Sequence, residues 1–279
     1  MSKPVYPNCS DFISGEYCYN CGKRLCAKIK CGRKNRCKVG FTKEHIPPKA
    51  FFEINKFAKS QNISSIPDID DITVPSCLRC NNHASINDEY FVRYLIIMSL
   101  EGSSVAREIN PENLRRWRKN KALSRDFANA PHGIYEIVTR NNIWLAKKHA
   151  VTVPDKYKKG FLDCLEKIVK GLYYKHMGRI SGKQMRFAWS NVFLELDRNQ
   201  LKVDFLSDKT IDILRSVFRW GDREREENGF FIKTVTKGLQ INNFRYAFIY
   251  LKTPEAKEYL FVFLSFYDYS QFLYFFENE

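Results

Sequence analysis

The chain has 279 residues, of which 44% are hydrophobic and 15% aromatic, and its formal net charge is +15. This composition supplies apolar surface for one large or two ordinary domains and excludes a wholly disordered chain. The excess of positive charge favours an anionic partner, with nucleic acid as the first expectation and an anionic membrane surface as the second.

The start of the chain, residues 1–17, lacks the apolar core of a signal peptide. The longest apolar runs, residues 94–100 and 259–267, are too short to span a bilayer. We therefore expect a cytoplasmic protein without a membrane partner, in which the thiols stay reduced.

Cysteines are concentrated in the N-terminal part, where eight of the nine lie before residue 81. In a reducing compartment this clustering indicates metal ligands rather than disulfides. Two CxxC pairs have the spacing of zinc knuckles, and two such turns complete a tetrahedral structural zinc site. The paired knuckle residues are Cys18, Cys21, Cys77 and Cys80. A second site, or a replacement for one member of the first, could come from Cys9, Cys26, Cys31 and Cys37.

Between the two knuckles, residues 23–38 form a strongly basic segment. Clustered cations displace counterions from a phosphate backbone, so we expect salt-dependent contact with phosphates rather than base readout. The predicted nucleic-acid contacts are Lys23, Arg24, Lys28, Lys30, Arg33, Lys34, Arg36, Lys38 and Lys49.

A Glu44–His45 pair follows the basic segment and precedes two consecutive prolines, Pro47 and Pro48. Prolines favour extended backbone in the residue before them, so the pair is expected at a strand end or in a turn. Glu44 could serve as an ion ligand, or it could pair with a lysine.

Helices are predicted in the middle of the chain. The segment after Cys80 reads as one or two helices that end near Gly102, and residues 108–131 read as a basic helix with Pro111 close to its start. Residues 155–178 and 208–220 follow as amphipathic helices, the first ending at Gly178. The expected buried face of that helix comprises Phe161, Leu165, Ile168, Val169 and Leu172.

From residue 229 onward, four aromatic-rich segments separated by short turns predict an antiparallel meander, with the aromatic side chains in its core. The whole chain is therefore expected to have an α+β fold. We place the cysteine-rich domain in residues 1–105 and a second domain, with helices and the meander, in residues 106–279.

The order of CxxC, Glu44–His45 and a second CxxC followed by Asn81 resembles that of the HNH endonucleases. These are ββα-metal nucleases whose core is often held by zinc knuckles. Residues 15–92 are similar to a bacterial HNH subgroup that is often found in defence settings. One departure is that Ile72 lies near the position where the family commonly has an asparagine.

The resemblance implies a ββα-metal domain in which His45 is the general base. It also implies that Glu44 and Asn81 hold a catalytic Mg²⁺ or Mn²⁺, with Asn82 as the neighbouring alternative to Asn81. Asn81 could instead cap the helix that follows.

The resemblance implies a metal-dependent endonuclease that hydrolyses phosphodiester bonds, with DNA preferred and RNA, including tRNA, left open. An effector role in anti-phage defence follows from the subgroup. The second domain would then contact the target, a regulatory protein or a second copy of the chain. The alternative is a non-catalytic zinc-containing module that binds nucleic acid or protein.

Overall fold

The computed structural model describes residues 12–27, 39–51, 72–100, 102–119, 125, 132–138, 144–151, 155–179, 186–190, 223–227, 230–237, 244–255, 257–267 and 270–278. Helices and strands are mixed along the chain, as the α+β prediction requires.

The chain divides into two compact units. The first, which we call the cysteine unit, comprises Met1–Glu53, Asp70–Val92 and Lys156–Gln184. The second, the sheet unit, comprises Ile54–Ile69, Arg93–Asp155 and Met185–Glu279. This division differs from the expected boundary at residue 105, because Lys156–Gln184 lies beyond that boundary and yet belongs to the cysteine unit.

Two antiparallel hairpins and a helix start the cysteine unit. Strand β1 (Phe12–Tyr17) pairs with β2 (Arg24–Cys26), and β3 (Phe41–Ile46) pairs with β4 (Ile72–Cys77). Strand β4 continues without a break into helix α1 (Leu78–Met98), whose last residues belong to the sheet unit. A bridge between Cys26 and Gly40 links the two hairpins. The result is a β-β-α succession in β3, β4 and α1.

Side chains alternate between the two faces of β3, as in any extended strand. Glu44 and Ile46 are buried, whereas Lys43 is exposed and His45 is half-buried. Glu44 lies opposite Val74 in the register of the hairpin, and Val74 is also buried. One face of the hairpin therefore belongs to the core of the cysteine unit.

Helix α3 (Asp155–Met177) completes that core. It contacts the hairpin at Gly171, where the side chain of Ile46 comes close, and it contacts α1 through the rings of Phe161 and Phe91, whose centroids are 4.8 Å apart. Gly178 ends the helix with a φ of 64°, as predicted. The predicted buried face is confirmed for Phe161, Leu165, Ile168, Val169 and Leu172.

The sheet unit contains a six-stranded antiparallel sheet. Its strands are β7 (Arg186–Ser190), β8 (Arg223–Glu227), β9 (Phe230–Lys237), β10 (Phe244–Lys252), β11 (Glu258–Phe266) and β12 (Ser270–Asn278). The strand order in the sheet is β7-β12-β11-β10-β9-β8. Strands β9 to β12 each pair antiparallel with the next strand along the chain, which is the order of a meander. The buried aromatic side chains Phe248, Tyr250, Phe261 and Phe266 confirm its aromatic core.

Two other elements of this unit differ from the sequence-based expectation. Helix α2 (Ser104–Lys119) starts earlier than predicted, because the Ser103 hydroxyl accepts a hydrogen bond from the Ala106 amide at 3.1 Å and caps the helix. Pro111 therefore lies in the middle of α2. A hairpin of β5 (His132–Val138) and β6 (Trp144–Val151) was not predicted.

The helix predicted for residues 208–220 lies outside the described residues. In the part of the chain that is described, no helix is both long and apolar enough to cross a membrane.

Candidate metal centre and buried charge cluster

Four cysteines from two distant segments meet in the cysteine unit. Cys18 and Cys21 lie between β1 and β2, Cys77 ends β4, and Cys80 lies in the first turn of α1. All four sulfur atoms lie within 4.8 Å of one another. Zinc–sulfur bonds of about 2.3 Å in tetrahedral geometry place two sulfurs roughly 3.8 Å apart. The Cys21 and Cys77 sulfurs are 3.8 Å apart, so this cysteine cluster could bind a structural metal such as zinc.

Backbone hydrogen bonds shape both turns of the cysteine cluster. The Gly22 amide donates to the Cys18 carbonyl at 2.9 Å, and Gly22 has a φ of 68°, which a residue with a side chain rarely adopts. In the second turn the Cys80 amide donates to the Cys77 sulfur at 3.4 Å. Each knuckle is therefore a tight turn, shaped by hydrogen bonds between residues that are close in sequence.

The crowded sulfurs cannot all carry a negative charge unless a cation is present. Hydrogen bonds from Cys21, Cys77 and Cys80 lower the pKa of Cys18. The hydrogen bonds of the Cys80 thiol with Cys18 and Cys21 instead raise the pKa of Cys80. A metal ion takes the place of these protons when it binds. Among the alternative ligands, Cys26 is not a member of the cysteine cluster, and Cys9, Cys31 and Cys37 lie outside the described residues.

Glu44 is not open to solvent but is only 4% exposed. Its Oε1 atom lies 2.7 Å from Nζ of Lys167, and its Oε2 atom accepts a hydrogen bond from the Ser76 hydroxyl at 3.3 Å. Lys167 Nζ also lies 3.4 Å from Oδ1 of Asp88, which accepts a hydrogen bond from the Cys164 thiol at 3.2 Å. We refer to Glu44, Asp88 and Lys167, with Ser76 and Cys164, as the charge cluster.

The charge cluster has two carboxylates and one ammonium group. Burial raises the pKa of Glu44 and of Asp88, and the positive charge of Lys167 offsets this only in part. Burial alone would lower the pKa of Lys167, but Asp88 and Glu44 outweigh it and raise this pKa. Burial also raises the pKa of Cys164, so its thiol stays neutral. Lys167 is therefore charged, and the cluster keeps an excess of negative charge unless a proton or a further cation is bound.

The three residues that the resemblance assigned to one catalytic site lie on β3 and in the first turn of α1. Glu44 and His45 are consecutive in β3, so their side chains leave opposite faces of the strand. Asn81 uses its Nδ2 atom to donate to Thr42 Oγ1 at 3.1 Å and to the Lys43 carbonyl at 3.3 Å. Asn81 thus ties the first turn of α1 to β3. Glu44 pairs with Lys167, which agrees with the alternative interpretation of Glu44 as the partner of a lysine.

Three of the predicted nucleic-acid contacts are described. Arg24 and Lys49 are exposed, and Lys23 is half-buried. The remaining predicted contacts lie outside the described residues: Lys28, Lys30, Arg33, Lys34, Arg36 and Lys38.

Neither Lys167 nor Asp88 was predicted from the sequence as a site residue. A signal for Lys167 was present, because it lies three residues after Cys164 and four before Gly171. This helical spacing places it on the buried side of α3. A lysine on a buried face needs partners of opposite charge.

Comparisons with protein-family models, with curated proteins and with solved structures return no match to this chain.

Proposed function

We propose that this chain is an HNH-type endonuclease that hydrolyses phosphodiester bonds of nucleic acid, DNA in preference to RNA. The observation that supports the proposal is the succession of β3, β4 and α1, held at its base by the cysteine cluster. The resemblance implies this β-β-α arrangement for the nuclease core. The net charge of +15 suits a polyanionic substrate.

His45 is the candidate general base of this reaction. A neutral imidazole can take a proton from the attacking water near neutral pH. Exposed Arg24 and Lys49 can contact phosphates, and the cysteine cluster holds β4 and α1 in place. A cytoplasmic location, a role in anti-phage defence and a regulatory partner or homodimer remain part of the proposal, on the strength of the resemblance and the composition.

Nucleases of this class use Mg²⁺ or Mn²⁺, which prefer oxygen ligands. Glu44 does not fit such an ion in the conformation described, because both of its carboxylate oxygens already have donors, Lys167 and Ser76. We therefore assign no step of the reaction to Glu44.

The same observation favours a second candidate function. A glutamate that is permanently paired with Lys167 would suit a non-catalytic zinc-containing module that binds nucleic acid or protein. Such a module would bind nucleic acid in a salt-dependent way but would not cut it.

A cleavage assay distinguishes the two candidates. Purified protein is incubated with plasmid DNA and with total RNA, in Mg²⁺, Mn²⁺ or EDTA. Removal of a general base typically costs about a hundredfold or more in rate, so His45→Ala should lose cleavage but keep its fold and zinc content.

The matched control for His45→Ala is Thr73→Ala, because Thr73 lies directly opposite His45 in the β3–β4 register. This control should cut at the wild-type rate. Cleavage by His45→Ala at the wild-type rate would remove His45 as the base. Nucleic-acid binding by the wild type without cleavage in either metal would favour the non-catalytic module.

A further inference from the structure

Helix α2 of the sheet unit has one buried and one exposed side. Ile109 and Asn113 are buried on the first side. Arg107, Arg115 and Arg118 are exposed, and their spacing places them together on the second side. At a rise of 1.5 Å per residue, these three arginines extend over about 16 Å of the helix.

A buried carboxylate holds one of these arginines and brings a fourth beside it. The Glu112 side chain is only 2% exposed. Arg115 donates to it from Nε and Nη2, and Arg116 donates to it from Nε at 2.8 Å. These bonds leave Nη1 of Arg115 and both Nη atoms of Arg116 for another acceptor. A guanidinium group that is already held in place loses less freedom when it binds an anion.

The composition of this exposed side favours a polyanion over a protein as its partner. Its four arginines outnumber the two acidic residues, Glu112 and exposed Glu108. Among the side chains of α2 that the structure describes, Leu114 is the only large apolar one that is exposed. Protein interfaces need an apolar core, whereas one strand of a duplex presents a phosphate every 3.4 Å or so, roughly five over the length of these arginines.

We propose that this surface, the arginine face of α2, binds the phosphate backbone of nucleic acid through Arg107, Arg115, Arg116 and Arg118. The inference deepens the proposed function and rests on nucleic acid as the partner, but it does not require cleavage. It adds a contact surface in the sheet unit to the contacts predicted from the basic segment near the N-terminus. Contacts of this kind position the chain on nucleic acid without reading its sequence.

The test measures binding to a labelled DNA duplex by fluorescence anisotropy over a range of salt concentrations. Arg118→Gln removes one positive charge from an exposed side chain that has no partner among the described contacts, so the fold should remain. Each lost phosphate contact should reduce the slope of log K against log salt by about 0.9, and weaken binding on the order of tenfold at about 0.1 M salt. Arg115→Gln combined with Arg118→Gln should reduce the slope by about 1.8.

Two matched variants control for net charge. Lys252→Gln removes the same charge from an exposed side chain at the end of β10 in the same unit, and it should leave the slope unchanged. Glu108→Gln removes a negative charge from the arginine face itself, so it should tighten binding. Urea denaturation of each variant checks that it is folded.

The inference is overturned if Arg118→Gln and Lys252→Gln have the same effect on the slope, or if the double variant keeps the slope of the wild type. Wild-type protein that binds phosphatidylserine vesicles through these arginines, but does not bind the duplex, would also overturn it and would indicate a membrane surface as the partner.

A cleavage assay on the same variants separates the inference from the proposed function. Weaker binding by Arg118→Gln, with no cleavage by the wild type in Mg²⁺ or Mn²⁺, supports the arginine face and contradicts the endonuclease. Cleavage by the wild type, with duplex binding that the double variant leaves unchanged, supports the endonuclease and overturns the arginine face.

Discussion

The same substitution at two glycines of α3 is expected to change the stability of the protein in opposite directions. A Cβ atom at Gly171 would lie 2.5 Å from Cδ1 and 2.6 Å from Cγ1 of Ile46. Ile46 is only 1% exposed and lies in β3, two residues after Glu44. Neither the buried side chain nor the strand can move away freely, so Gly171→Ala overfills the contact between α3 and the hairpin.

The expected magnitude combines two opposing effects. Overpacking of a close-packed core costs about 1–3 kcal/mol, whereas alanine in place of glycine inside a helix contributes about 1 kcal/mol of stability. We therefore expect Gly171→Ala to lower the free energy of unfolding by about 1 kcal/mol, within a range of roughly 0–2 kcal/mol.

Gly160 supplies the matched comparison on the same helix. A Cβ atom there would lie 2.7 Å from Cγ and Oδ1 of Asn87, whose half-buried polar side chain can rotate. The helix-propensity gain should dominate, so Gly160→Ala should raise the free energy of unfolding by about 0.5–1 kcal/mol.

Urea denaturation of the three proteins, followed by circular dichroism, measures both differences. The zinc content of each sample is kept equal, because a change in metal occupancy would shift all the curves. A Gly171→Ala protein that is more stable than the wild type would refute the reasoning, because α3 could then not be in close contact with Ile46.

Two further predictions concern the metal and the pH. Cys77→Ser should lower both the zinc content per chain and the melting temperature, since a structural metal contributes directly to folding; elemental analysis with an unchanged zinc content would remove Cys77 from the cysteine cluster. Glu112→Gln should lower the free energy of unfolding by about 0.5–1 kcal/mol at neutral pH. The reason is that partly exposed Arg115 and Arg116 lower the pKa of Glu112 from 4.5 to about 2. A lowered carboxyl pKa gives stability that is present above pH 4.5 and is lost as the pH falls towards 2. Urea denaturation curves in which the wild type and Glu112→Gln still differed in stability at pH 2 would contradict the pairing of Glu112 with the two arginines.

Local patterns in the sequence predicted much of this structure. Cysteine spacing identified the four sulfurs that meet, because two turns of the same geometry can complete one tetrahedral site. Helical periodicity identified the buried face of α3, and Gly178 marked its end, because a positive φ suits glycine. The aromatic strands of the meander were recognisable because they are short and separated by turns.

The environment of Glu44 could not be predicted in the same way, because its partner lies 123 residues away. Motif spacing describes residues near one another in the chain, and it carries no information about which later helix returns to the hairpin. The start of α2 was missed for a different reason. Pro111 resembles a first-turn residue, but the capping hydroxyl of Ser103 begins the helix two turns earlier.

A single hydroxyl connects the cysteine cluster with the charge cluster. Ser76 precedes Cys77 in β4, donates to Glu44 Oε2 at 3.3 Å and lies 4.0 Å from the Cys18 sulfur. A metal ion that fixes Cys18 and Cys77 therefore also fixes the position of Ser76, and with it one of the two donors that hold Glu44. Loss of the metal would leave Lys167 as the only remaining donor to the Glu44 carboxylate among the described contacts. The effects of Cys77→Ser and Lys167→Met on stability should for this reason be non-additive, as for residues of one hydrogen-bonded network.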